Sequence, residues 1–283
     1  MNNCPVDDRS FCFESCDDAP EDMTLKDYFL QACEEGMGEL VSCLLEHGVN
    51  PNWQQKEELL QSGLHLAAKD DDDENLKVLD LLLENGADVD IPAMGGTTPL
   101  MVACINGNIG CVHMLTTVGG CGGQMVDVNR RCDSGRTALH YAVSHPACVA
   151  ELERAPRLDW NPRDGGGRYP VTMAAERGCA GTLEIMLSLP PGRVDLNVQN
   201  KAGKNIAWLA VQNRSFGDPL RCVQLLAGDE RINWNTQNIS GDTPLMFCLK
   251  NNLTEMAKII LGIPSVDLHI RNNDGKYPEG IAR

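Results

Sequence analysis

The sequence of 283 residues has no long apolar run and no recognisable targeting pattern. No stretch of about 18 uninterrupted apolar residues occurs, so we expect no membrane span. Residues 1–8 contain neither a basic patch nor an apolar core, which argues against a secretory signal. We therefore expect an intracellular protein that lies in the cytoplasm, with a nuclear location left open.

Motifs that carry chemistry are also missing. The 13 cysteines include no Cys-x-x-Cys pair, so the cluster of Cys4, Cys12 and Cys16 is not expected to bind zinc. The glycine clusters at 119–123 and 165–167 lack the Lys-Ser/Thr that a phosphate loop needs, and no nucleophile has a catalytic signature. We expect no enzyme activity, no cofactor and no metal, and we expect reduced, buried thiols.

Positive charge is scarce in the first part of the chain. Residues 1–90 contain 23 Asp and Glu but only 5 Lys and Arg, whereas residues 91–283 contain 17 and 19. Residues 1–23 are acidic and have no repeat pattern, so we expect a flexible tail. The acidic run at 70–74 is expected to be a solvated loop, because a calcium loop needs its oxygens spaced around a glycine.

One sequence segment recurs several times along the chain. It reads TPLMVAC at 98–104, TALHYAV at 137–143 and TPLMFCL at 243–249. Looser copies begin at Asp27, Ser62, Tyr169, Asn205 and Tyr277. Successive copies start 35, 36, 39, 32, 36, 38 and 34 residues apart, a period typical of a solenoid, in which each unit buries its apolar face only against its neighbours.

Each copy predicts a helix, a turn, a second helix and a protruding loop. Thr98 and Thr243 are good N-terminal caps, and the proline that follows each of them suits the first helical position. Apolar residues spaced by three and four predict the second helix. The loops contain turn formers such as Asp274-Gly275, which predict hairpin-like connections.

These residues resemble the ankyrin repeat. The segments SGLHLAA at 62–68 and LLLENGADVD at 81–90 match the family pattern closely, while 169–172 and 205–208 depart from it. The resemblance covers residues 24–283 and implies one all-α solenoid domain of about seven stacked helix-turn-helix units, the last one partial. It also implies a scaffold or adaptor that binds a partner protein through the concave face of its loops and first helices.

An apolar contact patch is predicted on the first loops. Trp53 follows Asn52 on a loop, and Ile91 and Met94 lie on the next loop, so the three side chains could contact a partner. Packing of Trp53 against the N-terminal tail is the alternative. Trp160 and Trp234 are expected to be buried between repeats, and His65 and His140 to be structural.

Basic residues recur in the later loops and predict a row that attracts an acidic partner protein. They are Arg130, Arg131, Arg136, Arg163, Arg168, Lys201, Lys204, Arg271 and Lys276. An anionic or phosphorylated ligand is the alternative, with nucleic acid the less favoured form, and ordinary solvated loop tips are a further one. We expect a monomer. The family resemblance also implies that Asn129 and Asn197 could be hydroxylated.

Overall fold

A computed structural model of the chain describes residues 24–55, 59–117, 125–213 and 217–281. Within these ranges the regular structure is helical, and the one strand-like pairing is an isolated antiparallel bridge between Gln54 and Ser62. The predicted tail at 1–23, the three cysteines considered for zinc, and the glycine cluster at 119–123 lie outside the described residues.

The described residues form two compact units. The first contains the residues up to 133 together with 154–156, and the second contains 134–153 and the residues from 157 onward. The helices of the first unit are α1 (Leu25–Glu34), α2 (Gly38–Glu46), α3 (Gly63–Ala67), α4 (Asp73–Glu84), α5 (Pro99–Asn106) and α6 (Ile109–Thr117). A short 3-10 turn at Met94–Gly96 precedes α5. A single continuous domain over 24–283 stays a prediction.

The second unit continues the same helix-turn-helix pattern. Its helices are α7 (Ala138–Ala142), α8 (Pro146–Glu153), α9 (Pro170–Arg177), α10 (Ala180–Ser188), α11 (Ile206–Gln212), α12 (Pro219–Ala227), α13 (Pro244–Lys250), α14 (Thr254–Leu261) and α15 (Pro278–Ile281). The described chain thus has seven helix pairs and a partial eighth repeat, which confirms the all-α repeat fold predicted from the sequence.

The first helix of a repeat begins at the cap that the sequence indicates. The Thr98 hydroxyl accepts a hydrogen bond from the Met101 backbone N–H at 3.3 Å, and Thr243 accepts one from Met246 at 3.4 Å. Proline occupies the first turn of both helices. Gly107 ends α5 with a φ of 81°, a left-handed conformation that favours glycine.

Equivalent helices of neighbouring repeats pack side by side in each unit. In the first unit α1 packs on α3 and α2 on α4, and in the second α9 packs on α11 and α10 on α12. Trp160 and Trp234 are buried, as predicted. Burial of one large apolar side chain contributes about 1.5–3 kcal/mol, so each repeat is stabilised by the surface its neighbours cover.

The acidic run at 70–74 is exposed, as predicted, but only residues 70–72 precede the helix, so the prediction of a loop is corrected for Asp73 and Glu74. Asp72 is the N-terminal cap of α4, and its carboxylate accepts hydrogen bonds from Glu74 and Asn75 at 3.1 and 2.8 Å. Asp73 and Glu74 form the first turn of α4. Carboxylates stabilise a helix N-terminus because its backbone N–H groups are unpaired and carry partial positive charge.

Asparagine side chains connect successive loops. Asn161 accepts a hydrogen bond from the Asp195 N–H at 2.8 Å and donates one to the Arg193 carbonyl at 2.9 Å. Asn197 likewise accepts a hydrogen bond from the Asn233 N–H and donates one to the Arg231 carbonyl, both at 2.8 Å. Because one amide both donates and accepts, it satisfies two backbone groups of the next loop and fixes the spacing between the repeats.

Candidate interaction surface

The predicted contact residues are divided between the two units. Trp53, Ile91, Met94, Arg130 and Arg131 belong to the first unit. The second unit contains Arg163, Arg168, Lys201, Lys204, Arg271 and Lys276. Each set is therefore described within its own unit.

The predicted apolar patch is only partly exposed. Ile91 is only 7% exposed, so it is a core residue, and the prediction that it contacts a partner is corrected. Its position after the Asp-Val-Asp segment turns its side chain away from solvent. Trp53 is half-buried and lies edge-on to the Phe29 ring of α1, with 6.3 Å between ring centroids. Met94 is 62% exposed.

Two leucines that the sequence interpretation missed lie beside Met94. Leu59 and Leu60 are 53% and 44% exposed, and the Leu59 carbonyl accepts a hydrogen bond from the Met94 N–H at 2.9 Å. An apolar pair within a polar loop was the available signal, because the residues before and after it are charged or polar. We name Leu59, Leu60 and Met94 the tip cluster.

A buried carboxylate organises two arginines in the second unit. Arg168 bonds Asp164 through Nε at 3.0 Å and Nη2 at 2.9 Å, and Arg136 Nε lies 3.5 Å from the same carboxylate oxygen. Burial by itself would raise the pKa of Asp164. The hydrogen bonds and the charge of Arg168 outweigh burial and hold that pKa below its usual value, so Asp164 stays ionised at neutral pH.

Aromatic rings support three of the cationic side chains. The Arg136 guanidinium lies 5.7 Å from the Tyr141 ring centroid, and the Lys204 Nζ lies 5.7 Å from that of Trp208. Lys204 also donates a hydrogen bond to Gln212 Oε1 at 2.7 Å, while Arg271 lies 4.5 Å from the Tyr277 ring. These contacts restrict long side chains that would otherwise be mobile.

Three of these cations share one structural position. Arg136, Arg168 and Lys204 each immediately precede the residue that caps the first helix of their repeat. Successive repeats therefore present them on the same edge, and packed helices are spaced by about 10 Å. We name Arg136, Arg168 and Lys204 the basic row. The sequence predicted all three as loop cations, but it did not distinguish this position from the loop tips.

Lys276 has the equivalent position before α15, because its N–H donates to Asn272 as the Arg168 N–H donates to Asp164. The other predicted cations lie elsewhere on the loops. Arg163, Lys201 and Lys276 are exposed, as is Arg131, whereas Arg130 is half-buried. Arg130 lies close enough to Asp90 to lower the pKa of that carboxyl, although burial is the larger effect and leaves the pKa raised overall. The loop tips and the basic row are thus two different sets of cations.

The two asparagines considered for hydroxylation differ in exposure. Asn197 is exposed, yet its amide is held in the two inter-repeat hydrogen bonds described above. Asn129 is half-buried, and its backbone N–H donates to Asp127 at 3.0 Å. Access to the Asn197 side chain by an enzyme would require the loop to open locally.

The histidines of the repeat motif are structural, as predicted. Ser62 N–H donates to His65 Nδ1 at 3.2 Å, so the proton lies on Nε2, which donates to the Thr97 carbonyl at 3.0 Å. Burial lowers the pKa of His65 to about 4. In the same way, the Thr137 N–H donates to His140 Nδ1, and His140 Nε2 donates to the Arg168 carbonyl.

The described cysteines are reduced and mostly buried. Burial raises the pKa of Cys33, Cys111, Cys222 and Cys248 to about 12, which makes these thiols unreactive. Across the described ranges, no group of three or more His, Cys, Asp or Glu side chains could hold a metal ion. In the same ranges no helix has the length and apolar character to cross a membrane.

Comparison with known families agrees with this geometry. The family model for "Ankyrin repeats (3 copies)" matches residues 29–122, 64–164 and 171–274. The chain belongs to the ankyrin repeat family. Ankyrin repeats generally mediate protein–protein interactions and are typically non-enzymatic. The ankyrin repeat domain of Bcl-3, described as a unique member of the IkappaB protein family, has a similar solved structure, with a TM-score of 0.65 and 26% identity over 79% of this chain and 94% of that chain.

Several curated proteins are similar to this ankyrin repeat chain. Zinc finger CCCH domain-containing protein 50 of Oryza sativa subsp. japonica is 33% identical over 172 residues, which cover 53% of this chain and 25% of that protein. Rabankyrin-5 of Mus musculus is 29% identical over 200 residues, which cover 66% of this chain and 16% of that protein. The chain thus spans a quarter or less of the length of these two relatives.

Proposed function

We propose that this ankyrin repeat chain is an intracellular, non-enzymatic scaffold or adaptor that binds an acidic segment of a partner protein through the loop and first-helix face of its second unit. The observation that carries the proposal is the basic row, which recurs at one position in three successive repeats. The reduced, buried thiols support the intracellular location. The chain acts as a monomer.

The mechanism is preorganisation. Arg136 and Arg168 are already oriented by Asp164, and Lys204 by Gln212 and the Trp208 ring. Binding therefore loses little additional side-chain entropy, a cost of about 0.5–1.5 kcal/mol for each side chain that is immobilised on association. The two arginines share a single carboxylate, so the row retains surplus positive charge that complements an acidic segment.

Affinity purification from the native cell tests this proposal. The wild-type chain is compared with a double variant that carries Lys204→Gln and Arg136→Gln. We expect the double variant to lose the bound partner. The matched control removes two exposed cations of the second helices, Arg221→Gln with Lys258→Gln, and should retain the partner. A partner retained by the first variant, or lost equally from both, would contradict the proposal.

Recognition of an anionic or phosphorylated ligand is the second candidate. The exposure of Arg163 and Lys201 on the loops favours it, because phosphate binding needs accessible cations. Inorganic phosphate and a single-stranded oligonucleotide are suitable probes. Affinity that falls steeply with salt and is lost on Arg163→Ala with Lys201→Ala would support this candidate, and unchanged affinity would reject it.

Hydroxylation of Asn129 and Asn197 is a third, separate proposal. It is supported by their position in the loop segment that the ankyrin family shares. Mass spectrometry of the protein from its native cell tests it. Unmodified asparagine at both positions would count against it.

A further inference from the structure

We propose that the tip cluster of Leu59, Leu60 and Met94 is a second contact site, which binds an apolar side chain flanked by basic residues in a partner protein. The inference rests on the proposed function in one respect, namely that the chain binds proteins. It concerns the first unit, whereas the basic row lies in the second.

Backbone hydrogen bonds hold the tip cluster together. The Met94 N–H donates to the Leu59 carbonyl at 2.9 Å. Gln54 Nε2 donates to the Leu60 carbonyl at 2.7 Å and to the Pro92 carbonyl at 2.8 Å, so it bridges the two loops. The tip cluster is therefore built from two loops whose backbones are joined by hydrogen bonds.

The tip cluster brings three exposed apolar side chains together on two neighbouring loops. Leu59, Leu60 and Met94 are 53%, 44% and 62% exposed, and adjacent large apolar side chains on a surface mark interaction sites more often than isolated ones do. A small number of buried side chains usually carries most of the binding energy of an interface. The packing of the core does not account for side chains that lie so far outside it.

The backbone conformation of Leu60 also supports a function for the tip cluster. Its φ is 49°, a left-handed conformation that costs energy for any residue with a Cβ and that glycine adopts freely. The fold would accept glycine here, yet the chain has leucine with an outward side chain. A strained residue that displays an apolar group at a loop tip is a reason to look for a function there.

The negative charge of the first unit favours a partner segment with basic residues. The described residues of the first unit include 16 Asp and Glu but only 6 Lys and Arg. Asp133 lies against the Met94–Gly96 turn, because its N–H donates to the Gly95 carbonyl at 2.8 Å, so a negatively charged residue borders the tip cluster. A segment with Lys or Arg beside its apolar anchor is attracted to this unit, while an acidic segment is repelled.

A displayed library of random linear peptides, selected on the intact chain, tests the proposal. We expect enriched peptides with one large apolar residue next to Lys or Arg. A fluorescent copy of an enriched peptide is then titrated onto the wild type, Leu60→Gly and Met94→Ser. Each variant should weaken the affinity by at least about tenfold.

Two features of the design separate binding from folding. Leu60→Gly relieves the left-handed strain, so its thermal stability should not fall even though binding does. Ile109→Ser is the matched control, because Ile109 is 42% exposed in the same unit but lies on α6, and it should change affinity less than about twofold.

The opposing results are equally specific. Enriched peptides that lack the apolar anchor, a library that yields no such peptide, or affinity that is unchanged in both tip-cluster variants would overturn the inference. Lys204→Gln should leave the peptide affinity unchanged. If Lys204→Gln abolishes binding and the tip-cluster variants do not, the tip cluster is rejected while the proposed function stands.

Discussion

The carboxylate of Asp71 caps a helix of the next repeat, because it accepts hydrogen bonds from the backbone N–H groups of Gly110 at 3.1 Å and Cys111 at 3.0 Å. Glycine at 110 leaves room for this contact. A Cβ there would lie 2.7 Å from Asp71 Oδ1 and 3.0 Å from Leu76 Cδ1. An acidic run that has the appearance of a surface loop therefore joins the second and third repeats.

Asp71→Ala should lower the free energy of unfolding by about 1 kcal/mol, the usual cost of losing a capping side chain. Urea denaturation followed by circular dichroism measures it. Asp70→Ala is the control from the same run, since the Asp70 side chain makes no hydrogen bond within the described chain, and its effect should stay within about 0.5 kcal/mol. Equal effects of the two substitutions would contradict the cap.

Asp90→Asn should raise the free energy of unfolding by about 1 kcal/mol at neutral pH. Asp90 stands where Asn161 and Asn197 stand in later repeats, and its Oδ2 accepts the Asp127 N–H at 3.0 Å. Its buried Oδ1 has no hydrogen-bond partner among the described residues, and burial raises its pKa. Asparagine would remove the buried charge and supply the missing donor.

Two further measurements sharpen this prediction. The advantage of Asn over Asp should shrink in acid, because a raised pKa means that the folded state protonates Asp90 readily and then has a donor of its own. The reciprocal change, Asn197→Asp, should destabilise the second unit by about 1–3 kcal/mol, because it removes the bond to the Arg231 carbonyl. Stabilisation by both substitutions would disagree with the argument.

His65 should make stability fall as the pH decreases from about 6.5 to about 4. Its pKa is about 4 in the folded state and about 6.5 when unfolded, so in this window the unfolded state binds a proton that the folded state does not. Above pH 6.5 the ring is neutral in both states and the penalty is absent. The full effect is about 3 kcal/mol, from about 1.4 kcal/mol for each pKa unit.

Denaturation midpoints measured across this window test the role of His65. His65→Gln should be less stable at neutral pH, because it loses the Thr97 bond, but its stability should depend less on pH between 6.5 and 4. The difference between the two pH profiles isolates His65 from the carboxylates, which titrate in both proteins. Parallel profiles would show that the ring is accessible to protons in the folded state.

Thiol reagents should distinguish Cys43 from the core cysteines. Cys43 is exposed on α2, whereas Cys33, Cys111 and Cys248 are buried and have raised pKa values. Alkylation of the native protein followed by peptide mass spectrometry should label Cys43 within minutes and the buried three only after denaturant is added. Rapid native labelling of Cys111 would mean that the Asp71 contact opens readily.

The repeat architecture was predictable because it depends on local chemistry. Thr98 and Pro99 start a helix by capping and by a fixed φ, and Gly107 ends it through its left-handed conformation, so each boundary is readable from a few neighbouring residues. The burial of Trp160 and Trp234 followed from their position in a repeated segment.

The contact surface was less predictable because exposure depends on the neighbouring repeat. Ile91 and Met94 are three residues apart on one loop, yet one is 7% exposed and the other 62%. Nothing in their residue types separates them. The tertiary structure alone decides which of the two side chains is exposed and can reach a partner.

By itself, therefore, the sequence determined the fold class, the helix starts and stops, and the structural role of the motif histidines, because those features recur from repeat to repeat. Tertiary structure alone decided that Asp71 caps α6, that Asp164 organises Arg136 and Arg168, and that Leu59 and Leu60 join Met94. Apart from Asp164 and Arg168, which share one loop, these residues meet across different repeats or loops, and packing rather than local preference sets the distance between them.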